Sequence, residues 1–448
     1  MLKNFIKYKP FYRSNFLLAY PVVISQLSFM LTAVADSVMV GQLGTIPLAA
    51  CALGNVIVSI FMVFGIGISQ GLTPIVAQEN GKNNKTICGQ YLEQGFVISI
   101  VSGLLLFGIV LLITQNLGIL AQPIDVEIAS KEYLVIIGSS ILPIMVFQMF
   151  RQFSEGLAYT KQAMYVSIVV NILNVLFNFI LMYGWFGLPA LGLVGAGYGT
   201  LLSRIFMAIG MGYFVLKSKL FKPYLHQFKI HLPQWSKIKN ILSLGIPIGL
   251  QYFFEIGAFS GAAIMVGWIG APELAAHQIA INLAAFTYMG ASGIGVAATI
   301  KAGGAFGKKD FTELKLSAIS SYHLVIGYMI VTALIFLSCN TLLPMLYIKD
   351  DAVILIASQL LIVAAFFQLS DGVQVVGAGI LRGLSDVKTP TIITLIAYWI
   401  VGLPVGYILG FTFKMGPMGI WISLSIALTV AAILLYYRFK TLSNKLLS

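Results

Sequence analysis

Apolar runs of about twenty residues, long enough to cross the hydrocarbon core of a bilayer, recur from one end of this chain to the other. Inside a bilayer each backbone N–H and C=O must find its partner within the protein, and a run of that length does so as a helix. A soluble core is excluded by what would be left to cover it. Of 448 residues, 59% are hydrophobic and 9% charged, whereas a soluble domain carries about 25% charged residues. Hydropathy places twelve helices, at 15–40, 48–77, 90–115, 132–150, 163–184, 191–215, 240–267, 277–301, 317–338, 353–381, 390–410 and 419–438. The breaks between them carry turn chemistry: Glu79-Asn80-Gly81, Tyr183-Gly184-Trp185, Gly270-Ala271-Pro272 and Gly416-Pro417.

The start of the chain, Met1 to Ser14, is basic and aromatic and has no small-residue cleavage site, so the first helix is expected to act as its own insertion signal. Cys51, Cys88 and Cys339 are far apart and lie in or beside apolar runs. They read as small packing residues, with no disulfide frame and no structural metal.

A net charge of +12 raises the question of nucleic acid, and the placement of the charge answers it. With the amino terminus inside, the inner segments hold 23 of the Lys and Arg residues, among them Lys3, Lys7, Arg13, Lys217, Lys229, Lys239, Lys308, Arg382 and Arg438. The outer segments hold Lys131, Lys349 and Lys414, and Arg204 lies within a helix. That bias predicts both termini in the cytoplasm, and the expected location is the plasma (inner) membrane, as a multi-pass protein. It also accounts for the basic character without a nucleic-acid partner.

The two halves of the chain repeat each other. At an offset of 226 residues Pro21 pairs with Pro247, Met39-Val40-Gly41 with Met265-Val266-Gly267, Gly67-Ile68 with Gly293-Ile294, and Gly81-Lys82 with Gly307-Lys308. At 227, Gly156-Leu157 pairs with Gly383-Leu384 and Lys161 with Lys388. Each half holds six helices, an even number, so both start on the same side of the membrane. The expected fold is an all-α membrane protein of twelve transmembrane helices in two six-helix lobes, related by a pseudo-two-fold axis along the membrane normal. The lobes are read as 1–216 and 240–448, joined by a basic cytoplasmic linker at 217–239. Two like lobes suit alternating access, and one chain already contains both, so a functional monomer is expected.

Of fifteen acids, twelve fall in predicted loops or near helix ends, and three do not: Asp36 in the first helix, Glu255 in the seventh and Asp371 in the tenth. An ionised carboxylate in a bilayer costs at least ~2.5–3.5 kcal/mol, so it persists where it faces a wet cavity or a partner cation. Arg204 is the one basic residue in the interior of a predicted span, too few for three acids. At ~1.5 Å per residue, Glu255 and Asp371 lie near the midplane and Asp36 nearer the outer end. Asn171, Asn174 and Asn178 share one face of the fifth helix, at i, i+3 and i+7. They either bond neighbouring helices or serve with Asp36 as ligands. Gln251 and Tyr252 stand at i−4 and i−3 from Glu255; Phe367 and Gln374 stand at i−4 and i+3 from Asp371. An acid with aromatic faces beside it suits an organic cation, although aromatic stripes also serve as packing.

Taken together, Pro21 and Asp36, Met39-Val40-Gly41, Asn174 with Asn178, Phe254-Glu255, Ala275-Ala276-His277-Gln278, Asp371 with Gln374-Val375-Val376, and Leu381-Arg382-Gly383 resemble the multidrug and toxic compound extrusion family, in its NorM-like branch, over essentially the whole chain. The resemblance implies an antiporter, driven by Na+ or H+, that exports cationic, amphipathic compounds. It implies an amino-lobe site at Asp36, Asn174 and Asn178, and a carboxy-lobe cation site at Glu255 and Asp371 able to hold Na+. Phe367 departs from the pattern, since related members can have tyrosine there, which removes a hydroxyl ligand for sodium.

Two other classes compete. A flippase or exporter of a lipid-linked or other lipid-like substrate would suit a basic cavity, against three intramembrane acids here. An intramembrane enzyme using Glu255 and Asp371 as acid and base would need a nucleophile or metal-ligand motif. His226, His231, His277 and His323 are scattered between the inner loop and helix ends, and no enzyme and no cofactor is read.

Overall fold

The computed structural model describes residues 2–120, 122–225 and 233–447, with side chains from Lys7 onward; His226, Lys229 and His231 lie outside the described residues. Among the described residues, twelve helices are long and apolar enough to cross a membrane. In chain order they are α1 (Leu2–Gly41), α2 (Thr45–Gly81), α3 (Lys85–Gln115), α4 (Ile124–Gly156), α5 (Thr160–Tyr183), α6 (Gly192–Lys217), α7 (Trp235–Gly267), α8 (Ala271–Lys308), α9 (Phe311–Ser338), α10 (Asp351–Gly383), α11 (Lys388–Thr412) and α12 (Gly416–Leu447). Each expected span is present.

The differences lie at ends and breaks, where hydropathy says least. α1 starts a dozen residues before the expected 15, because its basic, aromatic first turns continue the helix beyond the apolar run. α4 is longer than the expected 132–150 and is interrupted at Ser140. α11 widens into π-helical turns at Ile396–Gly402 and Ile408–Thr412, on either side of Pro404. Proline lacks an N–H and clashes with the carbonyl four residues back, and a wider turn relieves both faults. The turn after α5 forms on Gly184, whose φ of 75° is left-handed backbone open to glycine.

Contacts divide the chain into two compact units, one of Ile24–Gly249 and one of Met1–Val23 with Leu250–Ser448. The division points are 226 residues apart, the repeat offset, and each follows shortly after a proline, Pro21 or Pro247, inside a helix. α1 and α7 therefore each begin in one unit and continue in the other.

Small residues set how these helices pack. In the Ile24–Gly249 unit, Gly67 and Gly71 of α2 cross Gly245 and Gly249 of α7, and a Cβ on Gly67 would come 2.3 Å from the Gly249 Cα. This is the small-xxx-small pattern of membrane helices, in which missing side chains let backbones touch. The second unit repeats the crossing at the same offset: a Cβ on Gly293 of α8 would meet Val23 Cγ2 at 2.3 Å and the Ala19 carbonyl oxygen at 3.1 Å. There the start of α1 is also tied by Asn15, whose amide donates to Ser320 Oγ and Ser321 Oγ of α9, both at 2.8 Å. Outward-facing leucine, isoleucine and phenylalanine, such as Leu105, Ile172 and Phe366, remain exposed, as a lipid-facing surface requires.

Candidate functional site

In the Ile24–Gly249 unit, α5 turns its asparagine face toward α1. Asn178 Nδ2 donates to Asp36 Oδ1 at 2.7 Å and to Asn174 Oδ1 at 3.3 Å. Gly199 of α6 makes room for this amide: a Cβ there would collide with Asn178 Oδ1. That oxygen is buried and receives no hydrogen bond among the described residues, which leaves an acceptor beside a carboxylate. Asn171 shares the face but not the cluster, because it donates to Ser28 Oγ at 2.7 Å, about two turns before Asp36 on α1. It ties the two helices together.

Sequence reading missed how close Arg204 comes. It donates to Ser140 Oγ at 2.6 Å, at the break in α4, and its charge acts on Asp36. Tyr133, buried beside it, donates to Asn55 Oδ1 at 3.1 Å.

In the Met1–Val23 and Leu250–Ser448 unit, three helices enclose a small cavity. α7 supplies Gln251, Tyr252 and Glu255; α8 supplies Tyr288 and Ser292; α10 supplies Gln374 and Arg382. Close packing of α8 on α10 shapes it. A Cβ on Gly379 would lie 2.4 Å from the Gly295 carbonyl oxygen, and Thr299 Oγ1 donates to the Gly379 carbonyl at 2.8 Å. Glu255 is 8% exposed and Asp371 6%, so both carboxylates are out of bulk water. They are near enough that the charge of one acts on the other. Tyr398 of α11 donates to Gln374 Oε1 at 2.8 Å, and the charges of Glu255 and Asp371 both reach it.

Phe367, one turn before Asp371 on α10, is not among the residues lining this cavity. It is buried with its ring 5.5 Å from Trp421 of α12, whose Nε1 donates to His277 Nδ1 at 3.0 Å. It packs α10 on α12.

Arg382 corrects the count of intramembrane cations. Sequence reading placed it in an inner loop and left Arg204 alone within the spans, but Arg382 is a residue of α10 whose guanidinium lines the cavity. Its Nη1 donates to Tyr252 Oη at 2.9 Å and its Nη2 to Gln251 Oε1 at 3.0 Å. The signal was present. Asp371, Gln374, Ala378 and Arg382 follow helical spacing along one face, but hydropathy alone assigns an arginine near a helix end to the loop. Tyr288 and Tyr398 were also missed, since a tyrosine in an apolar run reads as core.

The chemistry is that of oxygen donors: two carboxylates, amide oxygens and phenols. Such a set suits a proton or a hard cation rather than a soft metal. Aromatic faces beside the acids also suit an organic cation.

A family model described as MatE matches residues 21–180 and 247–408. The multidrug resistance protein MdtK of Yersinia pseudotuberculosis is 35% identical over 439 residues, covering 97% of this chain and 96% of that protein. MdtK of Yersinia enterocolitica is equally similar. Among solved structures, a MATE transporter in the straight conformation superposes with a TM-score of 0.90 at 19% identity, over 97% of both chains. The eukaryotic MATE transporter AtDTX14 superposes with a TM-score of 0.89 at 17% identity, over 98% of this chain and 99% of that one.

Proposed function

The chain belongs to the MatE family, and on that footing we propose that it is a cation-coupled antiporter exporting cationic, amphipathic drugs and toxic organic compounds by alternating access. One observation carries the reading: Glu255 and Asp371, buried together beside a cavity in the carboxy-terminal part of the chain. Two carboxylates taken out of water are costly until cations neutralise them. A drug cation and a coupling ion, Na+ or H+, then compete for the same negative charge. The inward ion gradient loads the site and displaces the drug outward, provided the loaded and empty states favour different conformations.

Asp36 with Asn174 and Asn178 is the corresponding site in the amino-terminal part, and Asn178 Oδ1 is the acceptor free for a ligand. Gln251, Tyr252 and Gln374 shape the carboxy-terminal cavity. The protein works as a monomer in the plasma membrane, with both termini in the cytoplasm. The multidrug resistance named in its MdtK relatives supports the substrate class.

Cells expressing Asp36→Asn or Asp371→Asn are expected to lose drug resistance while keeping wild-type amounts of protein in the membrane. Wild-type resistance in both would remove the acids from the mechanism. Dye efflux from energised vesicles, driven first by a sodium gradient and then by a pH gradient, identifies the coupling ion.

A further inference from the structure

Glu255 and Arg382 line the carboxy-terminal cavity, and Asp371, buried on α10, lies close enough to Glu255 for its charge to act there. Glu255 and Asp371 bring two negative charges, and Arg382 brings a positive one. The guanidinium is seated. It is held by the bonds to Tyr252 and Gln251 and lies 4.9 Å from the centre of the Tyr252 ring. Gln251 and Tyr252 stand one turn before Glu255 on the same face of α7, so this seat holds positive charge beside a carboxylate. The field of Arg382 acts on Glu255, and that of Glu255 on Asp371. A planar fork held at two points and stacked on a ring is a fixed charge rather than a roaming one.

We propose that Arg382 is a built-in counter-cation that sets how many mobile cations this cluster takes up: with Glu255 and Asp371 ionised, the three side chains sum to one negative charge, so the cavity binds one monovalent cation at a time. This rests on reading Glu255 and Asp371 as the coupling-ion site. Charge in a dehydrated site must be closely balanced. Two carboxylates alone would call for two monovalent cations or one divalent cation.

The test uses the purified full chain in liposomes with the membrane potential clamped at zero. Accumulation of a cationic dye is measured at steady state against a graded sodium gradient at fixed pH, and against a graded proton gradient without sodium. With one ion per dye, a tenfold gradient in the driving ion gives about tenfold accumulation; with two it gives about hundredfold. Wild type and Arg382→Lys are expected to follow the first relation and Arg382→Gln the second. Asp371→Asn alone balances the cluster and is expected to abolish coupling. Adding Arg382→Gln to Asp371→Asn restores the missing negative charge and is expected to recover first-power coupling, which a purely structural arginine would not do.

First-power coupling in Arg382→Gln, altered coupling in Arg382→Lys, or a double variant as uncoupled as Asp371→Asn would each overturn the proposal. Coupling that survives unchanged in Asp371→Asn alone would instead sink the reading of the site itself. Should Arg382→Gln be too unstable to purify, the double variant carries the test, since it removes one charge of each sign.

Discussion

Asn171 and Asn178 are chemically identical, seven residues apart on one helix face, and do different work because of what stands opposite. Asn178 donates to a carboxylate and Asn171 to a hydroxyl. A hydrogen bond to a charged group contributes ~1.5–3 kcal/mol, so Asn178→Ala is expected to weaken binding of a cationic dye by on the order of tenfold or more. Asn171→Ala should leave dye binding near wild type. Fluorescence titration of both variants checks the contrast, and equal losses would count against Asp36 as the focus of that site. A second pair concerns stability alone. Arg151 Nε bonds Glu155 Oε1 at 2.7 Å, with side chains 7% and 2% exposed. Removing one partner of a buried pair leaves an uncompensated charge and costs ~3–5 kcal/mol, while replacing both with apolar residues is far milder. Arg151→Met is therefore expected to lower the thermal unfolding temperature in detergent markedly, and Arg151→Met with Glu155→Leu to recover most of the loss.

At the scale of elements, the positions of the acids follow from glycines that carry no chemistry. α10 reaches α8 closely enough to frame the cavity because Gly295 and Gly379 present bare backbone to each other. Gly379→Leu must push the helices apart or strain the side chain, at ~1–3 kcal/mol. We expect lower thermal stability together with loss of dye efflux. Gly327 of α9 is the matched control: a Cβ there meets nothing within 4 Å, so Gly327→Leu should be silent in both measurements. Equal damage from the two would mean that leucine, rather than the α8–α10 approach, is at fault. The paired crossings of α7 on α2 and of α1 on α8 obey the same rule, and they show the repeat as a packing geometry as well as a run of matching letters.

At the scale of the whole molecule, the repeat preserves the scaffold and changes the site. At the repeat offset, Asp36 corresponds to Ala262 and Glu255 to Phe29. The distribution of Lys and Arg predicts a single orientation, and single cysteines report it. In a background lacking Cys51, Cys88 and Cys339, a cysteine at Lys82 is expected to react with an impermeant maleimide only in inside-out vesicles. One at Lys349 should react in intact cells. The reverse pattern would invert the assigned topology.

Twelve spans, a two-fold repeat and three acids in apolar helices were legible in the residues themselves. Each depends on local composition, and a bilayer penalises a misplaced charge or an unpaired backbone within the segment that carries it. Helical spacing also put Asn174 and Asn178 on one face and Gln251 and Tyr252 beside Glu255. What it does not contain is the identity of the opposite face. That Asn178 meets Asp36 while Asn171 meets Ser28, that Phe367 is sealed against Trp421, and that Arg382 reaches back from the end of its helix to Tyr252 were decided by tertiary packing. Those contacts join residues more than fifty, and mostly more than a hundred, positions apart, and they depend on how closely small residues let backbones approach. Periodicity along one helix holds no record of that distance.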